Sequence, residues 1–370
     1  MIHDELASPE AQSLLRKTER LQAEAPADLA RAAAILRAGG TVAFPTETVY
    51  GLGANALDPA AVAKIFIAKG RPGWDPLIVH VDGPEMLAQV AKLPTGDEGR
   101  VVNKLIEAFW PGPLTLLLPR KKSIPDAVTA GRSLVGARMP AHPVALELIR
   151  QAGVPIAAPS ANRFGHTSPT TSAHVLADLD GRIDAVLDGG ATSVGVESTV
   201  LEVTEDGIVI YRPGAIDHGL LNSFNDVGRV RNYVAPESRQ PREMLPSPGV
   251  GLRHYAPRAR LVLVGGVEKE KAISRHSGRL ESALVAAIDE ACNRDATVGV
   301  MLPDGWDAGA ASKIFRWGAW GDADVLAQRL FAGLRELDDA KSTIIICPVP
   351  EMSGLGDALR DRLEKAARVK

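Results

Sequence analysis

The chain has 370 residues, 45% of them apolar and 24% charged, which is ordinary globular composition with length enough for two domains. A formal net charge of −3 argues against a dedicated nucleic-acid binder. Cys292 and Cys347 lie too far apart for a CxxC pair, so neither a disulfide framework nor a zinc site is expected; with no signal-like order and no long apolar run, a soluble cytoplasmic protein is.

Residues 28–39 read as a helix: Asp28 is placed to cap it, Leu29, Ala32, Ile35 and Leu36 share a face, and Gly39-Gly40 stops it. A short strand over 41–44 follows. The run Gly51-Leu52-Gly53-Ala54-Asn55-Ala56 fits a loose G-x-G-x-x-A nucleotide turn. However, residues 45–50 separate it from the preceding strand and the next helix starts only at Pro59, so the dinucleotide reading is rejected. What remains is Thr46-Glu47-Thr48 just after a strand, followed by flexible glycines. Asp58-Pro59 opens a helix over 59–69, with Val62, Ile65 and Phe66 on one face.

Further on, strands are read at 77–81, 114–118, 134–138, 154–158, 184–188, 198–203 and 208–212, and helices near 98–109, 143–152 and 171–180, with Ser168–Thr171 supplying a cap for the last. Thr204-Glu205-Asp206-Gly207 joins the last two strands as a hairpin. The pattern predicts a twisted, mixed, open α/β sheet. From Pro213 to about Pro257 periodicity is lost and Pro, Arg, Gly and Asn dominate, as in a linker, yet Arg253, His254 and Tyr255 at its end predict an ordered segment. Residues 259–370 restart with strands LVLVGG, VGVML and TIIICPV, helices near 279–293 and 323–340, and a last helix after Gly354-Leu355-Gly356. This reads as a small doubly wound parallel α/β domain. The expected organisation is an N-terminal extension (1–27), a catalytic domain (28–216), a linker able to serve as a lid (217–257) and a Rossmann-like C-terminal domain (258–370).

Polar side chains recur at strand boundaries: Thr48, His80, Arg138, Ser160, Ser198 and Arg212. Such boundaries line the ligand crevice of open α/β sheets. Lys69 and Arg71 flank a turn with no acid before Asp75, an arrangement suited to phosphates or a carboxylate. The result is a cationic crevice without an acid dyad, a Ser-His-Asp order, a metal cluster or a P-loop. It suits an anionic substrate such as a nucleoside triphosphate.

In this order the motifs PTETVYGLGANAL, KGRP…PLIVH, FWPGPLTLLL, VGARMPAHP, APSAN, SPTT, ESTV and RPGAI resemble the YrdC-like threonylcarbamoyl-AMP synthase family. SPGVGLRHYAP and GLGDALRDRLEKAA extend the resemblance to its longer two-domain form. The resemblance implies synthesis of L-threonylcarbamoyladenylate and pyrophosphate from L-threonine, bicarbonate and ATP. The product would be passed to a tRNA threonylcarbamoyl transferase complex that modifies adenosine 37. It also implies that Thr48, His80, Arg138, Ala158 and Ser198 hold threonine, with Arg138 on its carboxylate. Arg71, Asp75, Leu134, Ser160, Asn162, Ser168, Arg212 and Tyr255 would meet ATP, and Lys69 and Arg71, with Mg²⁺ brought by the nucleotide, would stabilise the developing charge. Asp75 and Leu134 depart from the asparagine and threonine common there. In this scheme residues 240–257 fold over the crevice, with Tyr255 sealing it. A rival reading is an RNA-binding or ribosome-maturation factor; acidity and an aromatic content of 4% leave it little for stacking. A carbamoyl-transfer module of hydrogenase maturation would need a cysteine cluster that this sequence lacks.

Overall fold

The structure is a computed structural model of the chain and describes residues 17–224, 228–234, 247, 254–265, 277–294 and 296–368. The proposed lid therefore lies outside the described residues except at Ser247 and 254–257, as does most of the N-terminal extension. Eleven strands form the larger sheet: β1 (Glu19–Gln22), β2 (Val42–Phe44), β3 (Gly51–Asn55), β4 (Ile78–His80), β5 (Leu114–Pro119), β6 (Leu134–Arg138), β7 (Ile156–Ala157), β8 (Ala185–Asp188), β9 (Thr199–Thr204), β10 (Gly207–Arg212) and β11 (Arg229–Asn232). Their order is β1-β8-β2-β3-β7-β4-β6-β5-β9-β10-β11, open at both edges. Parallel pairs (β4 with β6, β5 with β9) alternate with antiparallel ones (β3 with β7, β5 with β6, β9 with β10), so the sheet is mixed as expected.

Local chemistry explains the elements around the site. Helix Pro59–Lys69 is capped by Asp58, which accepts from Ala60 N at 2.8 Å, and it ends at Gly70 in the left-handed region, φ 63°. That stop delivers Lys69 and Arg71 to one place. Helix Pro26–Arg37 begins earlier than the sequence suggests, because Pro26 rather than Asp28 sets its first turn; Asp28 instead accepts from Gln22 N at 2.8 Å.

Three expectations need correction. The glycines after Thr48 are not flexible: they form β3, and a Cβ on Gly53 would come within 2.8 Å of Phe44 and Ile156, so a strand packed this tightly admits no side chain there. Part of the segment read as extension supplies edge strand β1, parallel to β8. Part of the stretch read as linker forms helix His218–Asn222 and β11, which extends the sheet beside β10.

The second sheet holds β12 (Arg260–Val264), β13 (Val298–Pro303), β14 (Lys313–Gly318) and β15 (Ile344–Pro348), all parallel, in the order β12-β15-β13-β14. The strand missing from the sequence reading is β14, where Lys313 and Arg316 interrupt the apolar residues; only Phe315, Trp317 and Gly318 are buried. Helix Ser277–Cys292 covers one face, and helices Ala323–Asp339 and Leu355–Ala367 the other. The core of that second face is shared: Val49 and Val196, from loops of the larger sheet, and Tyr255 pack with Leu326, Leu330 and Phe331. Hydrophobic burial thus joins the C-terminal unit to the loops that build the site.

Candidate active site

His80 and Arg138 are in register on the parallel pair β4–β6, which sets their side chains next to each other. Gly51 bridges Ser160 at the far end of β3, while His80 pairs with Ile156 near its other end. The cavity these residues share therefore reaches across the sheet's face, and its walls come from strand ends, where the sequence reading looked for the crevice. Its walls include Thr48, Arg71, His80, Arg138, Ala158, Ser160, Glu197, Ser198, Arg212, His254 and Tyr255.

Thr46 folds its turn through side-chain bonds: Oγ1 accepts from Thr48 N and Val49 N, each at 3.2 Å, and donates to Val49 O at 2.7 Å. The backbone carbonyls of Glu47 and Thr48 are tied to Val194 N and Gly195 N at 2.7 and 3.0 Å. The turn is thereby rigid and presents Thr48 Oγ1 to Arg138 Nη1 at 2.9 Å, while Arg138 Nε donates to Gly112 O at 3.1 Å and Nη2 lies 2.6 Å from Glu47 Oε1. Burial would raise the Glu47 carboxyl, but Arg138 keeps it below its ordinary value and so ionised. Burial, then the Arg138 charge, lowers His80 to about 3; it is a neutral imidazole whose Nδ1 has no hydrogen-bond partner among the described residues. Ser198 Oγ stands 2.8 Å from Thr115 Oγ1 and accepts from Arg212 Nη2 at 3.0 Å.

At the other end, Arg71 donates to the carbonyls of Asp75 and Pro76 and pairs with the Asp75 carboxylate at 2.9 Å. Asp75, which would repel a triphosphate if bare, therefore faces a cation, although burial still pushes its carboxyl upward. Lys69 does not line the cavity. Its Nζ donates to the carbonyls of Ser160 and Asn162, both at 2.5 Å, and so shapes that loop; burial, then neighbouring Arg71, holds the amine well below the usual lysine value. Asn162 works beside it, donating its amide to Arg163 O and His166 O. Ser168 stands behind the wall and donates to Glu197 Oε1. Arg212, at the end of β10 where a bulge after Ile210 redirects the strand, donates through Nε to Ser198 O at 3.0 Å.

Leu134 makes no polar contribution: it belongs to an apolar cluster with Ile78, Leu117, Val200 and Tyr211, of which Ile78 lines the cavity. Tyr255 is buried with φ 64°, its hydroxyl without a partner among the described residues, and His254 stacks edge-on against it. With these two rings in place the cavity is only about 50 Å³.

Glu47, Glu197, His254 and Arg362 are ionisable residues that escaped the sequence reading as site members. Glu47 and Glu197 sit inside motifs already singled out, and the signal that could have found them is the need of each buried guanidinium for a counter-charge. His254 adjoins Tyr255. Arg362 comes from the other domain, more than a hundred residues away, and sequence proximity could not have suggested it. Three cavity arginines, each tied to a carboxylate or hydroxyl, beside a neutral histidine and small hydroxyls, define an α/β protein whose cleft is built for anionic small molecules.

Comparison with known proteins gives the particular family. A family model described as "Telomere recombination" (Sua5_yciO_yrdC) matches residues 34–214, and one described as "Threonylcarbamoyl-AMP synthase, C-terminal domain" matches residues 221–368. The chain is 41% identical to the threonylcarbamoyl-AMP synthase of Pyrococcus abyssi over 91% of this chain and 93% of the relative. It is also 41% identical to that of Bacillus subtilis, over 95% of each. The crystal structure of P. abyssi Sua5 complexed with L-threonine superposes with a TM-score of 0.83 at 37% identity, covering 95% of this chain and 98% of that one. The chain belongs to the two-domain Sua5 family of threonylcarbamoyl-AMP synthases. Among the described residues no helix is long and apolar enough to cross a membrane.

Proposed function

We propose that this cleft joins L-threonine, bicarbonate and ATP into L-threonylcarbamoyladenylate, releasing pyrophosphate and water. The chain is a threonylcarbamoyl-AMP synthase, a nucleotidyltransferase-type enzyme. The observation that carries the reading of the cleft is the convergence of the Arg71, Arg138 and Arg212 guanidiniums on one buried cavity beside a neutral His80.

In this reading Arg138 grips the threonine carboxylate through the N–H groups left by Thr48 and Glu47, and Thr48, His80, Ala158 and Ser198 surround the rest. The threonine amine loses a proton and captures the carbon of bicarbonate or CO₂. A carbamate oxygen then attacks the α-phosphorus in line and pyrophosphate leaves. Positioning and charge stabilisation suffice for this step; a strong base is not required. Arg71 and Arg212 meet the phosphates, while Lys69, Asn162 and Asp75 hold the loops that carry them.

Among the described residues, Glu197 in the cavity wall and Glu47 and Asp75 behind its arginines are each paired with an arginine, so they do not form a dedicated Mg²⁺ cage. Mg²⁺ fits here as part of the nucleotide, held by phosphate oxygens and water. The His254–Tyr255 pair lines the cavity, and in this reading it excludes water from a hydrolysable mixed anhydride. The product would pass to a tRNA threonylcarbamoyl transferase complex. Mass-spectrometric detection of the threonylcarbamoyl adduct of AMP, made by purified protein from ATP, Mg²⁺, threonine and bicarbonate with no RNA present, tests the reading. Pyrophosphate release that ignores threonine and bicarbonate would refute it.

A further inference from the structure

We propose that Arg362, on the C-terminal helix Leu355–Ala367, is a positioning residue of the cleft, through which the second domain completes the nucleotide half of the site. The inference rests on the synthase reading and adds to it a part for the C-terminal domain. Arg362 is fully buried at 0% exposure. Its Nε donates to Glu197 Oε2 at 2.8 Å, Nη2 to Glu197 O at 3.3 Å and Nη1 to Asp361 Oδ2 at 2.6 Å, and its Cζ lies 5.2 Å from the centre of the Tyr255 ring. The other oxygen of Glu197 accepts from Ser168 Oγ. One side chain of the second domain thus touches two residues that line the cavity, Glu197 and Tyr255.

Electrostatics show what the contact does for the reaction. Burial works to raise the Glu197 carboxyl, but Arg362, with Arg212 next in effect, keeps it lowered and ionised. Glu197 is therefore a carboxylate between two guanidiniums, one from each domain. Arg362 holds it by hydrogen bonds at both its side chain and its backbone, whereas Arg212 bonds to Ser198. That division leaves the remaining N–H groups of Arg212 for a phosphate. Without Arg362, the cation next in effect on Glu197 is Arg212, and a Glu197–Arg212 pair would compete with the nucleotide. The same loss removes the cation from the face of Tyr255 and frees its ring.

The test uses full-length protein, Arg362→Met and Arg362→Lys, each checked for a native circular-dichroism spectrum, with ATP affinity measured by calorimetry and steady-state KM taken separately for ATP and threonine. Arg362→Met is expected to weaken ATP binding and lower kcat/KM for ATP by about 100-fold, the scale of a displaced positioning group, with threonine KM unchanged. Glu197→Gln added to Arg362→Met removes the competing charge and should recover much of the ATP affinity, which a merely structural role would not produce. Arg362→Lys, the milder change, should move ATP affinity in the same direction, because an ammonium cannot bond Glu197 at two points and lie over Tyr255 at once. Wild-type ATP binding in either folded variant, or ATP and threonine weakened alike, overturns the proposal. Absence of adduct formation by wild-type protein would count against the synthase reading, while ATP affinity would still judge Arg362.

Discussion

Arg138 and Glu47 meet at 2.6 Å with both side chains nearly closed to solvent, so the arginine proposed for a substrate carboxylate already holds an internal one. The pair gives the buried guanidinium a counter-charge before substrate arrives. It also makes Arg138 a residue of two roles.

Arg138→Ala is expected to abolish threonine binding in calorimetry, a loss of about 2–5 kcal/mol for a desolvated charge pair. It should also destabilise the fold by about 3–5 kcal/mol, since Glu47 is left buried without a counter-charge. Stability falling while threonine affinity holds would move the carboxylate contact away from Arg138.

Arg71→Ala should spare threonine affinity and stop adenylate formation. In denaturant titrations it should be less stable than Arg71→Ala/Asp75→Asn, because the second change removes the stranded acid. Equal stability of the two would mean that Asp75 relies on some other partner.

Acid should destabilise the protein well before its carboxylates titrate. Burial, and then Arg138 or Arg335, depress His80 to about 3 and His174 to about 4, against 6.5 ordinarily. Between those values the unfolded chain binds protons that the folded chain refuses, so stability is full above pH 6.5 and declines as pH falls towards 4. Each histidine contributes up to ~1.4 kcal/mol per pH unit at its steepest. His174→Gln should flatten this limb in urea titrations between pH 6.5 and 4; an unaltered slope would show that His174 does not carry it.

Gly195 packs its backbone directly against helix Ala323–Asp339 of the second unit. With φ 82°, a Cβ there would lie 2.3 Å from Gln328 Cα and 2.4 Å from Ala327 O. Backbone cannot yield as a side chain can, so Gly195→Ala should cost more than ~1 kcal/mol, and hydrogen exchange should rise along helix Ala323–Asp339. Exchange matching wild type there would show that the contact yields without opening.

Much of the fold was legible because short-range chemistry decided it. Asp58, Pro59 and Gly70 bracket one helix, Pro143 and Gly153 another, and apolar runs such as Leu114–Leu118 declare buried strands. What stayed hidden depends on neighbours distant in sequence. β3 looks like loose glycines until Phe44 and Ile156 crowd it, and β14, its apolar residues interrupted by Lys313 and Arg316, is declared a strand by its pairing with β13. Asp28 looked like a cap because its chemistry suits one, and Pro26 began the helix first.

The sequence alone determined the alternation of helices and strands, the cationic and hydroxyl-bearing motifs, and the family those motifs resemble, since each is written in residues adjacent along the chain. Only the tertiary structure decided that the cleft crosses the sheet's face, that each buried arginine has its own counter-charge or hydroxyl, and that Arg362 reaches the site from the second domain. Desolvated charges must be compensated wherever the fold brings a partner, and which partner comes is a matter of three-dimensional packing that no local pattern encodes.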